Sequence, residues 1–282
     1  MSPRRNQDRT NAPLPDTSSP LSITGPQDET FSFVVPTEFV DLPSQGKFYG
    51  EGHPLHGKTS IEIKHMTAKE EDILTSESLL RKGLAIERLL QSLIVDKSIN
   101  LADLLVGDKN ALIVGARITG YGPLYATKVS CPACKEAQEV DFDLNNLTVR
   151  NSSVPAGVEQ TSENTFFVML PQSKAQVELT LMTGREERSF VETNARKRKK
   201  NLQESTATDL LKLLILSVNG NEDPQTINQF IGVMPISDSR HVRDIYEQIS
   251  PDVDLNHDFR CSNCDHEGRI GVPLNVDFFW PR

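Results

Sequence analysis

The sequence predicts an α+β protein of two similar halves, each closing in a zinc-ribbon-like β-hairpin that carries one C-x-x-C. Three observations carry this reading. Cys131-Pro132-Ala133-Cys134 and Cys261-Ser262-Asn263-Cys264 hold all four cysteines of the 282-residue chain and lie 130 residues apart. A strand-to-helix string recurs: Ile61-Glu62-Ile63-Lys64-His65-Met66-Thr67-Ala68-Lys69-Glu70-Glu71 is echoed by Val177-Glu178-Leu179-Thr180-Leu181-Met182-Thr183-Gly184-Arg185-Glu186-Glu187. Alternating apolar residues flank both cysteine pairs, with Val140, Phe142 and Leu144 matched by Ile270, Val272 and Leu274.

Residues 1–30 are polar and rich in Pro, Ser, Asn and Asp, the composition of a disordered tail. The first repeat is expected over 31–147. Its recurring string starts a helix because Thr67 caps a free backbone N–H while Glu70 reaches back to the cap. Ile86, Leu89, Leu90, Leu93 and Ile94 then follow at helical spacing. Asn151-Ser152-Ser153 and Pro155-Ala156-Gly157 mark 148–164 as a linker. The second repeat, 165–282, has Thr183 and Glu186 in the same capping positions. Its run of Leu210, Leu211, Leu213, Leu214, Ile215, Leu216 and Val218 is apolar nearly all round, which predicts a deeply buried helix. Val106-Gly107-Asp108 and Ile236-Ser237-Asp238, again 130 apart, each open a further helix. A period this long points to two fused domains rather than a solenoid.

Pairs of thiols two residues apart usually share a metal, most often zinc. A single zinc ribbon keeps its pairs about 15–20 residues apart. The far wider gap here makes each pair the corner of one half, with one Zn²⁺ per chain held by Cys131, Cys134, Cys261 and Cys264. Four thiolates leave no open coordination position, so the site is expected to be structural. His257 and His266, near the second pair, are alternative ligands. The N-terminus lacks the apolar stretch of a signal peptide, and no segment approaches the length of a membrane span, so a cytosolic protein is expected.

Three segments are candidate partner contacts: Phe48 and Tyr49 in a turn-rich loop, the basic run Arg196, Lys197, Arg198, Lys199 and Lys200, and the aromatic string Phe278, Phe279 and Trp280. The basic run would suit a zinc-ribbon nucleic-acid binder. A net charge of −9 weighs against that, since phosphate contacts come from Lys and Arg. No phosphate loop, zinc-protease motif or nucleophile elbow is present. Acid pairs such as Glu70-Glu71 fall in first helical turns, where the helix dipole favours carboxylates.

Several strings together resemble one family. They are Leu42-Pro43-Ser44-x-Gly46-x-x-Tyr49, Met66-Thr67-Ala68-Lys69-Glu70-Glu71-Asp72-Ile73-Leu74, Leu105-Val106-Gly107-Asp108-Lys109-Asn110 and Arg117-Ile118-Thr119-Gly120-Tyr121-Gly122, with both C-x-x-C pairs and Asp277-Phe278-Phe279-Trp280-Pro281. Over residues 36–282 they look like the T4-type phage baseplate proteins, the hub subunits and hub assembly proteins of contractile tails. The resemblance implies a non-enzymatic protein made in the bacterial cytoplasm. Its partners would be other baseplate and hub proteins, with no small-molecule substrate and no membrane. Gly184 and Arg185 depart from the Ala68-Lys69 of the first half.

Overall fold

Local sequence sets the first half element by element. In the computed structural model, which describes residues 34–161, 164–200, 205–272, 274 and 276–279, the chain from Val35 onward belongs to one compact unit. Strands β1 (Thr37–Asp41) and β2 (Ser60–Lys64) pair antiparallel, and β2 turns Ile61 and Ile63 into the core with period two. The Thr67–Glu70 capping box then opens α1 (Ala68–Thr75). Helix α2 (Glu77–Lys82) ends at Gly83, and α3 (Ala85–Leu93) buries Ala85, Leu89, Leu90 and Leu93 along one face. Helix α4 (Val106–Tyr121) leads into the hairpin of β3 (Leu124–Ser130) and β4 (Ala137–Asp143).

The segment read as a linker carries two short strands, β5 (Thr148–Arg150) and β6 (Val158–Gln160). Strand β6 begins an antiparallel sheet that continues through β7 (Phe166–Met169), β8 (Gln176–Leu179) and β9 (Ile215–Val218). The Thr183–Glu186 capping box opens α5 (Gly184–Lys199). Helices α6 (Thr206–Leu214), α7 (Pro224–Val233) and α8 (Ile236–Ile249) follow. Strand β10 (Asp252–Asp254) pairs with β5, and the hairpin of β11 (Asn256–Arg260) and β12 (Glu267–Gly271) comes next.

One expectation is corrected. The apolar run from Leu210 to Val218 is not a single helix: it leaves the helix after Leu214 and becomes β9. β-Branched Ile215 and Val218 favour extended backbone, and β8 offers an edge to pair with. Ile94, at the end of α3, bridges Ile63 of β2 in a similar way. The expected disordered tail lies outside the described residues.

The halves meet along backbone. Val106 N–H donates to Met182 O at 3.1 Å, and Gly184 N–H donates to Leu104 O at 2.8 Å. Glycine is required there, because a Cβ on residue 184 would lie 2.6 Å from Leu101 O. This gives the Gly184 departure from Ala68 a physical cause: α5 starts against the other half, whereas Ala68 is exposed. Gly107 is tighter still, with a Cβ falling 1.9 Å from Pro251 O. Ion pairs Lys109–Glu187, Arg185–Asp103 and Arg188–Glu87 line the same seam, and the rings of Phe48 and Phe166 pack 6.1 Å apart across it.

Gly107→Ala should therefore destabilise the fold by about 1–3 kcal/mol, the usual cost of overpacking. Gly232→Ala, whose Cβ would meet nothing within 4 Å, should leave stability unchanged or raise it. Thermal unfolding of the two variants beside the parent chain measures the difference.

Candidate metal centre and the groups that hold it

Both C-x-x-C segments sit at hairpin turns and fold alike. Cys131 N–H donates to Glu136 O at 2.8 Å and Lys135 N–H to Cys131 O at 2.9 Å. In the other hairpin Cys261 N–H donates to His266 O at 2.9 Å and Asp265 N–H to Cys261 O at 3.1 Å. The residue after each second cysteine is left-handed, Lys135 at φ 65° and Asp265 at φ 53°. That reversal turns both thiols of a pair to the same side.

The two turns face each other. Cys131 Sγ lies 3.8 Å from Cys264 Sγ, and Cys134 Sγ lies 3.7 Å from Cys261 Sγ. All four sulfurs fall within 4.8 Å of one another. A tetrahedron with metal–sulfur bonds of ~2.3 Å has sulfur–sulfur edges of ~3.8 Å, so the cluster has the dimensions of a four-coordinate thiolate site. Cys131 and Cys261 are buried, while Cys134 and Cys264 lie at the rim.

The crowded thiols also shift one another's acidity. The Glu136 backbone N–H, then the Asn263 amide and neighbouring sulfurs, draw Cys134 down to about 6. At Cys264 the His266 backbone N–H pulls the same way, but desolvation and the other three sulfurs outweigh it and push the thiol up to about 12. Four thiolates in this volume repel one another unless a positive charge sits between them. The four cysteines therefore fit a bound metal ion, with soft donors only. Among the described residues no histidine or carboxylate joins the group. The His257 ring instead packs edge-on against Phe142, with centroids 5.3 Å apart.

Other bonds hold the hairpins in place. Gln138 of β4 reaches across to the second turn: its Nε2 donates to Arg260 O at 3.1 Å, and its Oε1 accepts from Ser262 N–H at 2.9 Å. Behind the first hairpin lies buried Arg117 of α4. Its guanidinium donates to Phe278 O at 2.9 Å, Gly122 O at 2.8 Å and Leu124 O at 3.1 Å, and lies near the rings of Tyr121 and Tyr125. It ties the 3₁₀ turn Val276–Phe279 to the root of β3.

Asp108 and Asp238, both fully buried in first helical turns, anchor the loop ahead of each half's second strand. Asp108 accepts from Ser44 N–H at 2.9 Å, Ser44 Oγ at 2.6 Å and Tyr49 OH at 2.6 Å. Asp238 accepts from Gln172 and Ser173 N–H, each at 2.8 Å. Burial raises the Asp108 carboxyl above its ordinary value despite those donors. Asp238 is lowered: desolvation opposes this, and the Ser173 and Gln172 hydrogen bonds outweigh it.

The residues expected to meet partners fall in different places. Tyr49, Phe278 and Phe279 are buried in this chain's own core, because their rings fill it and the Tyr49 hydroxyl is committed to Asp108. As placed, they present no surface to a partner. Phe48 is half-buried against Phe166. Trp280 lies outside the described residues. Arg196 to Lys199 form the last turn of α5, with Lys200 capping it. Arg196 pairs with Glu192, and Lys197 with Asp209 and Ser205.

These features define a class of protein: an α+β scaffold whose chemically distinctive feature, among the described residues, is a four-thiol cluster joining two distant hairpins. The chain belongs to the family described as T4 bacteriophage base plate protein, whose profile matches residues 35–280. Its role is accordingly structural, in the baseplate of a phage tail, among other phage structural proteins. No curated protein and no solved structure matches it. Among the described residues no helix is long and apolar enough to cross a membrane.

Asp108→Ala strands three buried donors and should cost about 3 kcal/mol or more. Asp238→Ala strands two and should cost less. Denaturant unfolding of both variants tests the order.

Proposed function

We propose that this chain is a non-enzymatic structural or assembly protein of the baseplate hub, formed by duplication of one unit and clasped by a single structural Zn²⁺. The observation that carries the metal is the pair of sulfur–sulfur edges, 3.7 and 3.8 Å, made between residues more than 120 positions apart. Cys131, Cys134, Cys261 and Cys264 would hold the ion, which supplies charge neutralisation and a cross-link rather than reactivity. Support for duplication comes from the two capping boxes, the two left-handed knuckles and the two buried aspartates, which recur in one order. In this reading the chain is made in the host cytoplasm and works through its surfaces on other hub proteins. The nucleic-acid alternative loses support from the basic run, since Arg196 and Lys197 are engaged by carboxylates of the chain itself.

Elemental analysis of purified protein should give about one zinc per chain, and X-ray absorption should show four sulfur ligands at ~2.3 Å. Cys131→Ser and Cys261→Ser should lower thermal stability to a similar degree. One harmless and one ruinous substitution would refute the shared site.

Phage lacking the gene should fail to form baseplate hubs, as seen by electron microscopy of infected-cell lysates. Normal hubs would overturn the hub assignment.

A further inference from the structure

In the first half, the backbone leading into α4 is covered. Val106 N–H and Leu104 O bond to Met182 O and Gly184 N–H, on either side of extended Leu105 at φ −59°, ψ 144°. The second half repeats this conformation 130 residues later at Pro235, φ −57°, ψ 145°, just ahead of α8 and its buried Asp238. Met234 and Pro235 are half-buried, Met234 against the chain's own core, but among the described residues no backbone pairs with this edge. Val233 is 80% exposed and Ile236 is 73% exposed, and Met234 O and Ile236 N–H bond to no described backbone group. Proline at 235 costs nothing here, because the first-half bonds use the residues on either side of 105 and not its own N–H. An open backbone edge beside exposed apolar side chains is the chemistry of strand-type docking.

We propose that the Met234–Ile236 edge receives an extended segment of a different baseplate subunit. That segment runs into a helix and carries glycine where Gly184 stands in the internal seam. The seam supplies the template: two backbone hydrogen bonds, with glycine admitting close approach. A second copy of this chain does not fit. Its Met182–Gly184 segment is already engaged, and its Met66–Ala68 segment carries a Cβ at the position where one on residue 184 would lie 2.6 Å from a carbonyl oxygen. The proposal rests on reading the halves as counterparts and the chain as a baseplate component.

The test places a photo-reactive benzoylphenylalanine at Ile236 in the full chain, supplied during infection to phage lacking their own copy. Irradiated baseplates should yield a cross-link to a different baseplate protein, near a glycine at a helix start. Val233→Asp and Ile236→Asp should keep the parent unfolding temperature yet reduce incorporation about tenfold or more, as loss of an interface anchor does. Val233→Ser, which removes apolar surface without adding a charge, should weaken incorporation in the same direction. The proposal is overturned if all three variants incorporate normally, if no cross-link forms, or if cross-links join only copies of this chain. Normal baseplates in phage with no copy at all would instead defeat the baseplate reading. A deletion defect with indifferent variants would defeat the docking edge alone.

Discussion

Four sulfur atoms, two from each of two hairpins, must occupy a volume small enough for every pair to lie within 4.8 Å. Everything else in the fold has to let that happen. The hairpins are rooted differently, one on the C-terminal end of α4 and one on the strand that follows α8, so the bodies carrying them must be held in register. Backbone bridging between Leu104–Val106 and Met182–Gly184, and the pairing of β5 with β10, supply that register. Both are backbone contacts at close range, and both are sensitive to a single added carbon.

The division of labour between the halves follows from this. The capping boxes, the knuckles and the buried first-turn aspartates are local devices, and they look alike in the two halves. The seam is not shared in the same way. Gly184 and Gly107 each sit against backbone of the other half, while Ala68 and Ser237, at the matching positions, carry side chains. The matching segments thus meet unlike neighbours with residues that differ by one or two atoms, and the ion pairs around α5 reinforce a contact already specified by shape.

How much of this could be read in advance depends on how local each signal is. The capping boxes were legible because Thr and Glu three residues apart satisfy each other's backbone. The cysteine turns were legible because thiol spacing is itself the signal. The switch from α6 to β9 was not, since an unbroken apolar run carries no period and only the edge of β8 decides the outcome. Tyr49 and the phenylalanines at 278 and 279 read as surface anchors because aromatic residues suit interfaces and cores alike. Arg117 stood out only as part of a family string, and its role left no signal: its partners are carbonyl oxygens, which every residue owns.

The Arg117 contact also bears on how the chain is made. A buried guanidinium with three carbonyl partners is satisfied only when Phe278 has arrived, and the sulfur cluster is complete only when Cys264 has. Until the stretch from 261 to 279 is synthesised, Cys131 and Cys134 lack their facing thiols and Arg117 lacks one of its three carbonyl partners. Translation that stops early yields a product marked as defective by exposed polar and sulfur groups.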